Sequence, residues 1–321
     1  MDVRRLRNFL TVAELGSISR AAQTLHIAQP ALSAQVQQLE QSAGCQLLSR
    51  SSRGVVPTEA GLEFCRRAIA ALKHLESLQS LGNELTSAPA GHVVVGMPVS
   101  VGTMLSVPLV SAARERFPDI TLGIDESPSV QLGELLLRGK LDVAVLFREN
   151  VIKGMQATVL VEEDLYAVGV PDCGAQIALR TLARRPMVIP ARPNSLRKVL
   201  DAACAAEKIE LTVRAEVTSP HTMLQLAMAG LGATVLPWST IADLPESVVP
   251  RARIHKPALT RAIAVAMATD APLSPALRAV QSLLHETMTT LVATGRWRGA
   301  RCTAKAAAPA SSPANGTLTN A

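Results

Sequence analysis

Aromatic side chains are scarce: four Phe, two Trp and one Tyr make up 2% of 321 residues. Hydrophobic cores must therefore be assembled from Leu, Val, Ile and Ala. Those residues dominate a 48% apolar fraction and suit helices and buried parallel strands. No apolar run approaches the roughly 20 residues needed to span a bilayer. The opening MDVRRLRNFL starts a helical pattern and lacks the long apolar centre and small-residue cleavage site of an export signal. These absences predict a cytoplasmic protein with no membrane partner. Five cysteines, Cys45, Cys65, Cys173, Cys204 and Cys302, are odd in number and lie at least 20 positions apart. Without a CxxC, an HExxH or a Walker loop, they predict reduced structural thiols, with no metal and no other cofactor. One-sided charge is also missing where a nucleic-acid partner would need it. The formal charge is +6, but residues 1–87 carry +2, residues 88–295 balance, and residues 296–321 carry +4. A motif, not the charge, has to make any case for DNA.

The N-terminal 60 residues supply one. Leu6, Phe9, Leu10 and Ala13 recur at helical spacing and Gly16 stops the helix. Ser17 or Ser19 can cap a second helix, Arg20 to Leu25, whose Ala-Ala pair permits close packing. In HIAQPALSAQVQQLEQSAG, Pro30 fits a first helical turn; Leu32, Val36, Leu39 and Ala43 form one apolar face, and Gly44 closes the helix. The opposite face displays Pro30, Ser33, Ala34, Gln37 and Gln41, with no carboxylate until Glu40 near its edge. Short and amide side chains can read base edges, whereas an acid would repel phosphate. An ordinary solvated face would look similar, so the surroundings matter. Two short helices joined by a tight turn form a helix-turn-helix. LLSRSSRGVVPTEAG then offers Arg50, Arg53 and a Gly54 turn before a β-prone pair, which reads as a wing whose arginines reach phosphate or a minor groove. Thr58 begins a third helical stretch with Leu62, Cys65, Ile69, Leu72, Leu75, Leu78, Leu81 and Leu85 at three- or four-residue steps. So long a stripe predicts a helix that pairs with its own copy; a helix lying on its own domain is the plainer alternative. Ser87 to Gly91 marks a domain boundary.

From residue 92 strands and helices alternate. HVVVG, ITLGIDE, LDVAVLF, MQATVLVEE, LYAVGVP, PMVIP, LTVRAEV, GATVLP and AIAVAMA read as strands, with helices between several of them. This pattern predicts parallel sheets covered by helices, in two lobes with a cleft between strand ends. The last strand and the helix SPALRAVQSLLHETMTTLV should return to the first lobe. Residues 296–321 are unpatterned and read as a disordered tail, with Trp297 a frayed end.

These residues resemble the LysR-type transcriptional regulators to about residue 295. The family's N-terminal pattern stands here as Phe9, Ser17, Ala21-Ala22, Leu25, Gln29-Pro30-Ala31-Leu32-Ser33, Leu39-Glu40, Arg50, Thr58 and Ala60-Gly61. Gly139 to Asp142 and Gly230 to Pro237 resemble its effector-domain landmarks. HIAQPALS, RGVVPTEAG, LDVAVLF and GATVLP are similar to the nitrogen-assimilation-control subgroup. The resemblance implies an α/β fold with a helix-rich winged helix-turn-helix at 1–60, a long dimerising linker helix at 61–87, and a two-lobe, periplasmic-binding-protein-like effector domain at 88–295. Lobe 1 would comprise about 88–163 and 268–295, and lobe 2 about 164–267. It implies a non-enzymatic regulator that partners an operator in double-stranded DNA, a small-molecule effector, RNA polymerase and itself, as homodimer and homotetramer. By resemblance, Gln29, Pro30, Ser33 and Gln37 would meet base edges or the groove wall, and Ser17, Ser19, Arg50 and Arg53 the backbone or minor groove. Effector contacts would map to Ser100, Thr103, Ser127, Ser129, Phe147, Asn194, Ser195, Thr218 and Ser219, although each serine can equally be a helix cap. Two departures stand out: Ala34 where many members carry Arg, which shifts base preference, and Leu48 where many carry Phe.

Rival readings are weaker. An enzyme would need an organised nucleophile or metal spacing, and the six histidines are scattered with no GxSxG. A transported-solute receptor would need an export signal. A small-molecule-binding or redox-sensing protein, its DNA binding independent of a metabolite, is the remaining alternative, with Cys173 and Cys204 as its candidate thiols.

Overall fold

The computed structural model describes residues 2–51, 54–84 and 88–304. Arg53, Leu85, Ser87 and the expected tail from residue 305 onwards lie outside the described residues. The chain forms two compact units, one built mainly from the N-terminal 87 residues and one from most of the remainder.

In the first unit, α1 (Val3–Leu15) starts with Asp2 accepting from the Arg4 amide and ends at Gly16 with φ 61°. Ser17 caps α2 (Ile18–Thr24). Pro30 lies in the first turn of α3 (Gln29–Ala43), and Gly44 ends that helix with φ 70°. Leu6, Phe9, Val12, Ala21, Ala22, Leu32, Val36 and Leu39 bury into one core, as the helical spacing requires. A hairpin of β1 (Leu48–Ser51) and β2 (Gly54–Pro57) pairs Leu48 with Pro57. It docks on the α1–α2 turn: the Val55 amide donates to Gly16 O (2.9 Å), and a Cβ on Gly54 (φ +121°) would sit 2.5 Å from that oxygen. α4 (Glu59–Glu84) follows. Thr58 accepts from the Gly61 amide (3.0 Å), and a Cβ at Gly61 would stand 1.9 Å from Leu47 O. Only glycine tolerates that approach.

The stripe of α4 is divided. Phe64 packs edge-on against Phe9 at 5.2 Å, and Ala68 and Leu72 bury into the N-terminal core with Cys65 beside them. Leu62, Leu75 and Leu78 remain 56%, 41% and 64% exposed. The helix thus buries Phe64, Ala68 and Leu72 against its own domain and leaves Leu75 and Leu78, further along it, exposed.

The second unit has two lobes. In the first, β3 (Gly91–Met97), β4 (Ile120–Glu126) and β5 (Val143–Phe147) pair in parallel, joined by α5 (Val99–Arg116) and α6 (Ser129–Leu137). β6 (Met155–Val168) then runs through both lobes. The second lobe adds β7 (Gln176–Ala178), α7 (Leu179–Leu182), β8 (Pro186–Pro190), α8 (Ser195–Glu207) and β9 (Thr212–Val217). It continues with α9 (Pro220–Met228), β10 (Thr234–Pro237) and β11 (Arg251–His255). β12 (Thr260–Ala268) and α10 (Pro275–Ala293) return to the first, and β13 (Ala300–Cys302) closes the described chain. Val93, Val95, Leu105, Val145, Val280 and Leu284 centre one core; Leu165, Leu200, Val235 and Ile254 centre the other.

Four expectations need correction. MQATVLVEE and LYAVGVP are one strand, because the charged Glu162-Glu163-Asp164 between them is satisfied by arginines and does not turn the chain. The sheets are mixed, since β6 is antiparallel to β10, β11, β12 and β13. The lobe bound at residue 268 implied by the resemblance moves to Thr260, because the whole strand read as AIAVAMA belongs to the first lobe: β12 pairs with β5 along Ile263–Ala266. Finally, residues 296–304 are packed. Trp297 is 1% exposed because its ring finds the first-lobe core and its N–H finds a carboxylate. No helix among the described residues is long and apolar enough to cross a membrane.

Candidate nucleic-acid interface and interlobe site

On α3, Gln29, Pro30, Ala34, Gln37, Gln38 and Gln41 are exposed and Ser33 is half-buried. The helix is clamped from behind, where Asn8 Nδ2 donates to Gln35 Oε1 (2.7 Å). Glu40, the one acid near this face, is turned inward. Its Oε1 accepts from the amides of Leu47 (2.8 Å) and Leu48 (3.0 Å), which anchors the start of the hairpin. The outer face is consequently uncharged. The α3 N-terminus has no side-chain cap at Ala28, so its positive dipole end is open to an anion. Arg50 is exposed on β1. Ser17 is engaged as the α2 cap, accepting from the Arg20 amide at 3.3 Å, and Ser19 is exposed. Arg53 lies outside the described residues.

In the second unit, five of the nine sequence-predicted residues converge where the lobes meet. Ser129, at the start of α6, accepts from Asn150 Nδ2 (2.8 Å) and from the Phe147 amide (3.4 Å). Asn150 also reaches Ser195 Oγ across the lobes (3.5 Å). Ser100, in the first turn of α5, accepts from Arg261 Nη2 (3.1 Å). The Arg261 guanidinium lies over the Phe147 ring at 3.9 Å and bonds Glu163 through Nε (2.5 Å). Thr103 donates to Ser239 O (3.3 Å) of the second lobe. The other four are occupied locally or open: Ser127 bonds Asp125, Asn194 caps α8, Ser219 caps α9, and Thr218 is exposed.

Asn150, Arg261 and Glu163 join this network without having been singled out from the sequence. An arginine inside the otherwise apolar strand TRAIAVAMA was the available signal. Ser239 Oγ is buried without a partner beside the network, an unmet polar group of the kind a ligand can satisfy. Among the described residues no group of three or more His, Cys, Asp or Glu side chains is placed to hold a metal ion.

Two family models match. Residues 3–62 fit the bacterial regulatory helix-turn-helix protein, lysR family, and residues 86–289 fit the LysR substrate binding domain. The chain belongs to the LysR family of transcriptional regulators. As a LysR-type regulator it joins a DNA-binding helix-turn-helix to an effector-binding domain. The nitrogen assimilation regulatory protein nac of Escherichia coli (strain K12) is 33% identical over 295 residues, covering 91% of this regulator and 97% of the relative. Its counterpart from Klebsiella aerogenes is 34% identical over 287 residues, covering 88% and 94%. The subgroup likeness read from the sequence agrees with both. A full-length OxyR variant from Pseudomonas aeruginosa shares the fold, with a TM-score of 0.70 at 23% identity over 89% of this chain and 94% of that one.

Proposed function

We propose that this LysR-type regulator reads its operator with the uncharged face of α3 and takes its signal at the interlobe network. The observation that carries the reading is the inward turn of Glu40, which takes its carboxylate to the Leu47 and Leu48 amides and away from the exposed Gln29, Pro30 and Gln37 beside Ser33. These four would lie along base edges or the groove wall, while Arg50, Arg53, Ser17 and Ser19 hold the backbone or minor groove. Ala34 removes one strong guanine or phosphate contact and shifts base preference. In the second unit, Ser100, Thr103, Ser129, Phe147 and Ser195 would line the effector site. Ser127, Asn194, Thr218 and Ser219 sit at its margins, with a polar metabolite suiting the hydroxyls and helix starts. Arg261 is already neutralised by Glu163, which favours a hydrogen-bonding ligand over a highly charged one.

The exposed Leu75 and Leu78 of α4 would help pair two copies into a homodimer, and dimers would join into a homotetramer. The regulator would act in the cytoplasm, without catalysis, through contact with RNA polymerase. A redox switch between Cys173 and Cys204 is disfavoured: burial, then Asp201, pushes the Cys204 thiol above its ordinary value, away from the reactive thiolate.

The test is a footprint on DNA upstream of the regulator's own gene, with excess nonspecific competitor. A protected near-palindrome with half-sites about 34 Å apart supports the reading. If neither this site nor a genome-wide fragment selection yields protected DNA, the reading fails.

A further inference from the structure

Three carboxylates stand in succession where β6 passes from one lobe to the other: Glu162, Glu163 and Asp164. Adjacent carboxylates repel, and burying them without partners is prohibitive. Each is satisfied. Glu163, wholly buried, accepts from Arg261 Nε and from the Trp297 indole (3.0 Å). Glu162 accepts from Thr260 Oγ1 (2.7 Å) and Arg301 (2.8 Å). Asp164 holds Arg253 (2.8 Å) and Arg301 (3.2 Å).

Two of these partners, Trp297 and Arg301, come from a single short segment near the C-terminus. That segment also grips both lobes. Trp297 is part of the first-lobe core. Arg298 lies over Trp238 of the second lobe at 5.2 Å. Gly299 presses on Tyr166 so closely that a Cβ would come 2.3 Å from the hydroxyl. The backbone is tied to the crossing itself: the Asp164 amide donates to Gly299 O, and the Thr303 amide to Leu160 O, both at 2.9 Å. A strand that merely finished the edge of the first-lobe sheet would have no reason to seat neighbours on Trp238 and Tyr166.

We infer that residues 296–303 form a clasp that fixes the hinge between the lobes, and that Trp297 is a positioning residue acting through Glu163 on Arg261. Arg261 is the group that bears on Ser100 and Phe147, so this segment sets the geometry of the interlobe network. The clasp stands independently of any ligand; its consequence for signalling rests on the interlobe reading above.

Amide hydrogen exchange on the full-length protein tests both parts without DNA or effector, so failure of operator binding would not be confused with failure of the clasp. Arg298 and Arg301 are exposed, and the double variant R298A/R301A should keep the fold. It should speed exchange of the Asp164, Leu165 and Thr303 amides by about tenfold while α10 and α3 keep their protection. Wild-type rates at those three amides, or an equal rise throughout the protein, would overturn the clasp. For the relay, W297F keeps an aromatic ring, smaller than indole, and removes the N–H. Its effect on exchange near Ser100 and Phe147 should vanish in an E163Q background, or in R261K should E163Q not fold. Additive effects would show that Trp297 only fills space.

Discussion

Along the outer face of α3, Gln37, Gln38 and Gln41 reach solvent, whereas at the lobe crossing Glu163, Arg261, Ser129 and Asn150 are buried and bonded to one another. The contrast follows from what each region meets. A surface destined for a long polyanion can keep its donors hydrated until the partner arrives, since water is exchanged only on binding. A hinge has no later partner of that size and must satisfy its charges from within the chain. Each region turns one acid to structural use, and the acids differ in consequence: Glu40 clears a face, and Glu163 joins two lobes.

The largest effect should come from breaking the hinge side of this comparison. Arg261→Met leaves Glu163 buried with only the Trp297 N–H, and should cost the second unit about 3–5 kcal/mol in denaturant unfolding. A loss near zero would mean that the buried pair does no more than an apolar substitute. Next is the reading face. Ser33→Glu places an acid where Glu40 has been withdrawn, and should weaken operator binding on the order of a hundredfold by gel shift. The oligomeric state should not change, and unaltered affinity would remove α3 from the interface. Glu40→Gln is smaller. It weakens two charge-assisted bonds to Leu47 and Leu48, and about 1–2 kcal/mol of N-terminal stability should go with them. Melting at the wild-type temperature would contradict that.

The smallest effect sharpens the comparison through pH. At Asp201 burial pushes the carboxyl up, but Arg197 and Arg192, bonded at 2.8 Å and 2.6 Å, outweigh it and hold the value below the ordinary one. The folded value lies below the unfolded value of about 4. The contribution is therefore complete above that pH and disappears as pH falls through the folded value. Screened as it is, it should be the smallest of these effects. Asp201→Asn should flatten that part of the acid unfolding curve, and an unchanged curve would assign the acid sensitivity elsewhere.

The helix-turn-helix was legible because its signals are local. Gly16, Ser17, Pro30 and Gly44 each act within a few residues, and the apolar faces repeat at the helical period. The lobe crossing was not. Glu162-Glu163-Asp164 looks like a break between strands until its partners are known, and those lie far off: Arg261 is 98 positions from Glu163, and Trp297 is 134. The same distance hid the packing of residues 296–304, since Trp297 after Gly295 resembles a frayed helix. Among the effector candidates, Asn194 and Ser219 proved to be caps, the plainer role open to any residue before a helix. Ser129 and Ser195 differ because Asn150, on a short turn after β5, ties them together.

The scarcity of aromatic residues has an optical consequence. Both tryptophans and the single tyrosine of this protein, Trp238, Trp297 and Tyr166, belong to the hinge and its clasp. Near-ultraviolet light that excites indole is thus absorbed at the lobe crossing and nowhere in the DNA-reading unit. Trp238 lies under two guanidiniums, those of Arg251 and Arg298, while Trp297 emits from the first-lobe core with its N–H on the Glu163 carboxylate. Their emission colours should be separable. The DNA-reading unit itself holds no tryptophan, so, with excitation beyond the absorption of the bases, that emission reports on the lobe crossing and not on α3.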